Sequence, residues 1–237
     1  MFLRIRNWKL ALLALLFFCL FISLGRWQLH RAEEKEALMQ AMAERTKLSP
    51  LAAKNLNVNE RDLRFFRIQL QGEFDTAHSF LLDNKTYHGQ VGYELYTPFK
   101  AKGLNKFILI DRGFIPLGAS RDILPSVKTP TETVTILGML NQPPTYQALG
   151  AMQETTKTSW PLRIEYIQLD KMAALLNTSF SSYILTLAPN NPAAYPLEWQ
   201  AVNMDPQRHR GYALQWFAFA LTLLILFAAL NRGEKKS

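Results

Sequence analysis

The chain has a single cysteine, Cys19, among 237 residues, so no intramolecular disulfide, cysteine zinc site or CxxC redox pair can form within it. Oxidising compartments are permitted but not indicated. The short motifs of several common chemistries are absent as well: there is no GxSxG, HExxH, P-loop or GxGxxG. The four histidines, His30, His78, His88 and His209, are too scattered for a metal site local in sequence. A triad assembled only by folding would escape such a search. The absences nevertheless favour a binding or assembly protein over an enzyme. No internal repeat and no Gly/Ser linker divides the chain, and at about 150 residues per domain its length fits one ordinary domain with appendages.

A concentrated basic face is missing too. Of the eight net positive charges, five sit in the tails, on Arg4, Arg6 and Lys9 and on Arg232, Lys235 and Lys236 opposed by Glu234. The 186 residues between 26 and 211 carry only +3, which argues against nucleic acid as a partner. The basic tails instead flank two apolar blocks, residues 10–25 and 212–230.

Leu10 to Leu24 is almost wholly apolar, and with Trp8 and Trp27 as interfacial rings the segment 8–27 reaches the roughly 20 residues that span hydrocarbon. It reads as a retained anchor; the competing reading is a cleaved signal peptide, with Ser23-Leu24-Gly25 imitating a cleavage site. Tyr212 to Leu230 is interrupted only by Gln215 and Thr222, whose side chains can bond helix carbonyls or a neighbouring helix. Two spans place both termini on one side. The signal-like start, with a slight excess of Lys/Arg at the termini, puts that side in the cytoplasm and the middle outside it.

Between the spans, the charged, Gly- and Pro-free stretch from Arg26 to Leu48 reads as a helix continuing the first span, with Pro50 marking its end or a new helical start. Alternating apolar segments follow: Phe66–Gln71, Phe80–Leu82, Val91–Phe99, Lys106–Ile115, Val134–Leu140, Arg163–Gln168, Tyr183–Leu187 and Trp199–Val202, with one short helix at Asp170–Asn177. The fold class expected is a membrane protein whose two transmembrane helices flank one α+β, mainly antiparallel β, extracytoplasmic domain, pictured as a sandwich of strands. Its organisation is a tail over 1–9, a span over 10–25, the domain over 26–211 (a helix over 26–48, then mainly β from about 64 to 203), a span over 212–230 and a tail over 231–237.

Three features could carry chemistry. If helix begins near Gln207, then His209, Tyr212, Trp216, Phe219 and Leu223 share one face, placing an imidazole above an aromatic stripe at the water boundary. A haem wants this combination, with Arg208 and Arg210 for its propionates. The bland reading is an interfacial histidine, belt aromatics and snorkelling arginines. The second feature is a β-hairpin over Asn84–Phe99 bracketed by Gly89 and Gly92, with His88 in its turn as a minor candidate for a second ligand. The third is Asp111-Arg112 inside an apolar strand, read as a buried ion pair near a bulge. In addition, Gly211, Gln215, Ala218 and Thr222 form a small or polar stripe, read as packing against Ala14, Cys19 and Ser23 of the first span; another membrane protein's helix would compete for it.

Taken in order, Gly25-Arg26-Trp27-Gln28-Leu29 with Arg31 and Lys35, Gly92-Tyr93-Glu94 with Thr97-Pro98-Phe99, Asp111-Arg112-Gly113-Phe114-Ile115-Pro116, and His209-Arg210-Gly211-Tyr212-Ala213-Leu214-Gln215-Trp216 resemble the Surfeit locus protein 1 family. These are assembly factors of haem-copper cytochrome c oxidase. The resemblance runs nearly end to end. It implies a role in maturing oxidase subunit I by delivering or holding haem a, and it carries the family's suggested haem ligand onto His209. Tyr212 and Trp216 would then pack the ring and Arg208 or Arg210 would meet a propionate. Partners implied are subunit I, with haem a synthase as a further candidate, and membrane lipid. The chain departs from many relatives at Gln207 and Arg208, where asparagines are common, and at Asp111, where asparagine is frequent. The short stretch before the first span points to a bacterial inner membrane, termini cytoplasmic and domain periplasmic. Three functions are therefore in competition: a haem a carrier, a haem-independent scaffold for oxidase intermediates, and a tethered hydrolase built from a non-local constellation.

Overall fold

A computed structural model describes residues 7–57, 62–118, 120, 121, 123–144, 152, 159–202 and 204–231. The tail charges at Arg4, Arg6, Arg232, Glu234, Lys235 and Lys236 lie outside them. The chain forms two compact units, one of residues up to Ala41 and from Ala201 onward, the other Met42–Gln200.

The second unit is built on β1 (Arg67–Phe74), β2 (Phe80–Tyr87), β3 (Gln90–Ala101), β4 (Phe107–Pro116), β5 (Val134–Asn141), β6 (Leu162–Ile164) and β7 (Phe180–Leu187), with a short helix α2 (Leu169–Leu175). Strand order is β1-β5-β7-β4-β3-β2-β6, and β1 also pairs with β3, so β1, β5, β7, β4 and β3 close into a barrel. The twelve-residue β3 makes this possible, since Gln90–Tyr96 pairs with β2 while Phe99–Ala101 pairs with Phe74–Gly72 of β1. Gly72 is where the ring shuts. A Cβ there would lie 2.1 Å from the Lys100 carbonyl oxygen, so the close backbone approach requires glycine.

One expectation is corrected and one holds. The domain is a closed barrel, not a sandwich; its pairings are mainly antiparallel, with two parallel exceptions, β4 beside β7 and β2 beside β6. Alternation in sequence reports that one face of a strand is buried; it says nothing of which strand lies alongside or in which direction. Two strand expectations also shrink. Arg163–Gln168 contributes only to the three-residue β6, and Trp199–Val202 forms no strand: the Trp199 indole donates instead to the Leu187 carbonyl at 2.7 Å.

Alternation fills the barrel. Ile68, Leu70, Phe74, Phe99, Ile108, Ile110, Ile136, Leu140, Leu185 and Leu187 meet inside it. On the other face, Phe80, Leu82, Tyr96, Leu109, Ile164 and Ile184 pack under Met172 of α2. Lying between the two layers, β4 is buried from Ile108 to Ile115, which is why its sequence is a nearly continuous apolar run.

Asp111 and Arg112 are both buried in β4, and the register slips between Leu95 and Tyr96 opposite them, so the bulge is present. The ion pair is not. Arg112 donates from Nε to the Ala193 carbonyl (2.9 Å), from Nη1 to Thr129 Oγ1 (3.0 Å) and from Nη2 to the Lys128 carbonyl (2.6 Å), and it lies over the rings of Phe74 and Tyr195. Burial pushes it down to about 10. Asp111 accepts from the Gly113 amide and the Thr186 hydroxyl, each at 3.1 Å. Burial, with Glu94 beside it, pushes its carboxyl well above the usual range. At the bulge each side chain finds neutral partners of its own, which a linear reading of adjacent opposite charges cannot foresee.

The other unit contains most of helix α1 (Trp8–Arg45) and all of α3 (Pro206–Leu230). Both are long and apolar enough to cross a membrane. Only 6% and 11% of their most apolar windows are buried, unlike the core helices of a soluble domain. α1 is unbroken from Trp8 to Arg45, so the apolar block and the charged stretch after it are one rod of 38 residues.

Candidate functional site

His209 owes its place to the start of α3. Asp205 has non-helical backbone angles and accepts the Gln207 amide on Oδ1 at 2.8 Å, and Pro206 occupies the first helical position. The cap therefore sets His209 in the first turn, where the helix emerges from its apolar stretch.

Within this unit α1 and α3 run antiparallel: Gln28 meets His209, Gly25 meets Phe217, and Phe21 meets Trp216 and Phe219. The seam has a simple spacing. Phe21, Gly25, Gln28 and Ala32 step by four, three and four, and so do His209, Ala213, Trp216 and Ala220, which is the seven-residue repeat that keeps one stripe of a helix against its partner. Gly25, Ala32, Ala213 and Ala220 are all buried in it. A Cβ on Gly25 would lie 2.5 Å from the Phe217 ring, so the absence of a side chain lets the helices approach.

The stripe expected to pack the spans is elsewhere. Gly211, Gln215, Ala218 and Thr222 are exposed, as are Cys19 and Ser23. Small and polar residues occur on both faces of α3, and the face that packs is the one whose bulk fits α1 in register; composition alone could not choose between them.

The contact that matters for chemistry is His209 Nδ1 to Gln28 Oε1, at 2.8 Å. An amide oxygen only accepts, so the hydrogen belongs to Nδ1 and the lone pair of a neutral ring is left on Nε2. His30, His78 and His88 are placed differently. Their rings meet carboxylates: Glu34 at 3.2 Å, Asp75 at 2.7 Å and Glu198 at 3.3 Å. His88 sits in the two-residue β2–β3 turn, with both His88 and Gly89 at positive φ, and the Ser79 hydroxyl beside His78 is bonded to Thr97 at 3.0 Å. Of the four histidines, only His209 has a neutral side chain as its partner, one that adds no charge beside the ring.

The remaining residues of the expected site separate. Tyr212 is 46% exposed and stands three positions from His209 on α3, so its ring is free. Trp216 is half-buried, stacked on Phe21 at 5.8 Å and edge-on to Phe219. Arg210 is committed to Glu36, with Nη2 2.8 Å from Oε1, whereas Arg208 is exposed with no ion pair among the described residues. The residues missed from sequence are Phe21, Gly25, Gln28 and Glu36. For the first three the signal was the four-three-four spacing shared by α1 and α3, which does not include Glu36.

A ring nitrogen that keeps its lone pair, an exposed tyrosine and an exposed guanidinium with no ion pair among the described residues suit an iron porphyrin carrying propionates. Among the described residues no three His, Cys, Asp or Glu side chains gather to hold a metal.

The model of the SURF1 family matches residues 15–221, from within α1 to within α3. A SURF1-like protein of Rickettsia felis is 26% identical over 230 residues, covering 95% of this chain and 98% of that protein. One of Monosiga brevicollis is 21% identical, covering 88% and 82%. Surfeit locus protein 1 of Gallus gallus is 28% identical over a shorter stretch, 46% of this chain and 39% of that protein. With a family match that takes in both helices and the barrel between them, this chain belongs to the SURF1 family, known in general as oxidase assembly factors.

Proposed function

We propose that this protein is a non-enzymatic assembly factor for haem-copper cytochrome c oxidase that takes up haem a at the membrane surface and passes it to subunit I. One observation carries the reading: the Gln28 amide occupies Nδ1 of His209 and leaves Nε2 for an iron. Tyr212 offers a ring face, and Arg208 rather than Arg210 is available to a propionate. A cargo that must be released favours one nitrogen over a closed site. Spectral titration of the purified protein with haem a tests this. His209→Ala should abolish the absorbance change, and unchanged binding in that variant removes His209 from the mechanism.

The setting proposed is a bacterial inner membrane, with both termini cytoplasmic and the barrel periplasmic, in keeping with the near-complete coverage of a bacterial relative. α1 is a retained anchor in this reading. Cleavage at Ser23-Leu24-Gly25 would remove Phe21 from Trp216 and Phe219, an aromatic cluster a discarded signal peptide would not need. Haem a synthase is a candidate donor.

A second reading, a haem-independent scaffold, is favoured by a different observation. Gln215 and Thr222 lie on an exposed, otherwise apolar face of α3 that α1 does not use, where polar groups in hydrocarbon gain from a partner helix. Co-purification of subunit I that persists after haem a depletion would support the scaffold, and its loss would support the carrier.

A further inference from the structure

We infer that Gln28 is the positioning residue of His209, setting which ring nitrogen is protonated and so directing Nε2 outward to the ligand; this rests on the haem-binding reading above. Three facts support it. Gln28 Oε1 lies 2.8 Å from Nδ1 and reaches it from a different helix, 181 residues away in sequence. Both side chains are half-buried, so water competes poorly for the contact. Finally, Gly25 sits one turn before Gln28 on the same seam and, lacking a side chain, lets the helices come close enough for the bond to form.

The chemistry is a matter of counting hydrogens. A neutral imidazole has one N–H and one lone pair, and the partner of one nitrogen decides the state of the other. With an acceptor at Nδ1, the lone pair is on Nε2, the nitrogen farther from the backbone and able to reach a porphyrin's iron. With no acceptor there, the hydrogen moves freely between the two nitrogens and the ring turns about its side-chain bonds. A partner of this kind changes ligand affinity by roughly ten- to a hundred-fold in metal sites. Gly25-Arg26-Trp27-Gln28 at one end of the chain and His209 at the other thus form a single device.

The test uses the full-length protein in lipid nanodiscs with 15N-labelled imidazoles, His209 being assigned by its disappearance in His209→Ala. Without haem, the two-bond proton–nitrogen pattern should report an Nδ1–H ring in the wild type and lose that form in Gln28→Leu, which keeps the bulk and removes the acceptor. Gln28→Glu, which keeps an acceptor oxygen, should restore it. Titration with haem a should then show affinity reduced roughly ten- to a hundred-fold in Gln28→Leu and recovered in Gln28→Glu. A contact that merely glued the helices would alter thermal stability in Gln28→Leu and leave the tautomer pattern as it was. That outcome, or an Nε2–H ring in the wild type, overturns the inference. If the wild type takes up no haem a the proposed function fails, and the nitrogen pattern still decides whether Gln28 sets the ring.

Discussion

Gly25 of α1 lies against the ring of Phe217 on α3, so close that a Cβ would come within 2.5 Å of it. The relationship predicts a graded response. Gly25→Ala should destabilise the helix pair and Gly25→Leu more so, by about 1–3 kcal/mol, because the ring must move and the seam on either side is already filled. Thermal unfolding in nanodiscs, followed by the fluorescence of Trp216 with the other four tryptophans replaced by phenylalanine, measures it. Equal midpoints for wild type and Gly25→Leu would mean that the helices do not pack along this seam.

Asp111 should make the barrel less stable as pH rises. Its carboxyl is pushed well above the ordinary range by burial and by Glu94, against the pull of the Gly113 amide, the Thr186 hydroxyl and Lys85. Folding therefore takes up a proton. The resulting stabilisation is complete below the unfolded carboxyl value of about 3.9 and is lost as pH climbs through the folded value. Asp111→Asn lacks that loss, so its advantage over wild type in urea unfolding should be larger at pH 8 than at pH 5. Parallel pH profiles for the two proteins would refute the assignment.

Arg112 holds two loops to the barrel by backbone carbonyls at Ala193 and Lys128 and the hydroxyl of Thr129. Arg112→Met removes the donors and leaves the acceptors facing an apolar side chain, a loss of about 2–4 kcal/mol in chemical denaturation. Lysine should recover less than half of it, since one ammonium cannot reach acceptors that a planar guanidinium spans. Full recovery by lysine would show that charge alone is needed there.

The two arginines flanking His209 should behave differently. Arg210 is held by Glu36 on a half-exposed surface, so Arg210→Ala should change haem a affinity less than about twofold and stability by under about 1 kcal/mol. Arg208 is unpaired among the described residues, and Arg208→Ala should weaken binding more. Titration of both variants at one ionic strength decides it; the reverse order would mean that Glu36 releases Arg210 to the ligand.

Much of the barrel was legible in its strands. Gln69, Gln71 and Glu73 alternate with Ile68, Leu70 and Phe74, and the structure exposes and buries them accordingly. The ring closure was not legible, because it depends on Gly72 meeting Ala101 across nearly thirty residues of chain, and no local period encodes that pairing. The parallel entry of β7 beside β4 is of the same kind. Asp111 and Arg112 were visible as charges in an apolar strand, but apart from the Gly113 amide their partners come from other strands and from loops.

The candidate site divides in the same way. His209, Tyr212 and Trp216 could be placed on one helix because the geometry of a helix makes spacing equivalent to direction. Gln28 could not be joined to His209, since every rule applied to the sequence relates residues within a few turns and this contact crosses from one end of the chain to the other.

By itself the sequence determined two apolar helices long enough to cross a membrane, a strand-rich middle and the position of a histidine at the head of the second helix, because each follows from hydropathy and period along a continuous stretch. The tertiary structure alone decided that the strands close, which faces of the helices meet and which nitrogen of that histidine is left free. Those depend on contacts between distant segments, where the steric fit of a glycine to a phenylalanine and the distance from an amide oxygen to a ring nitrogen set the outcome.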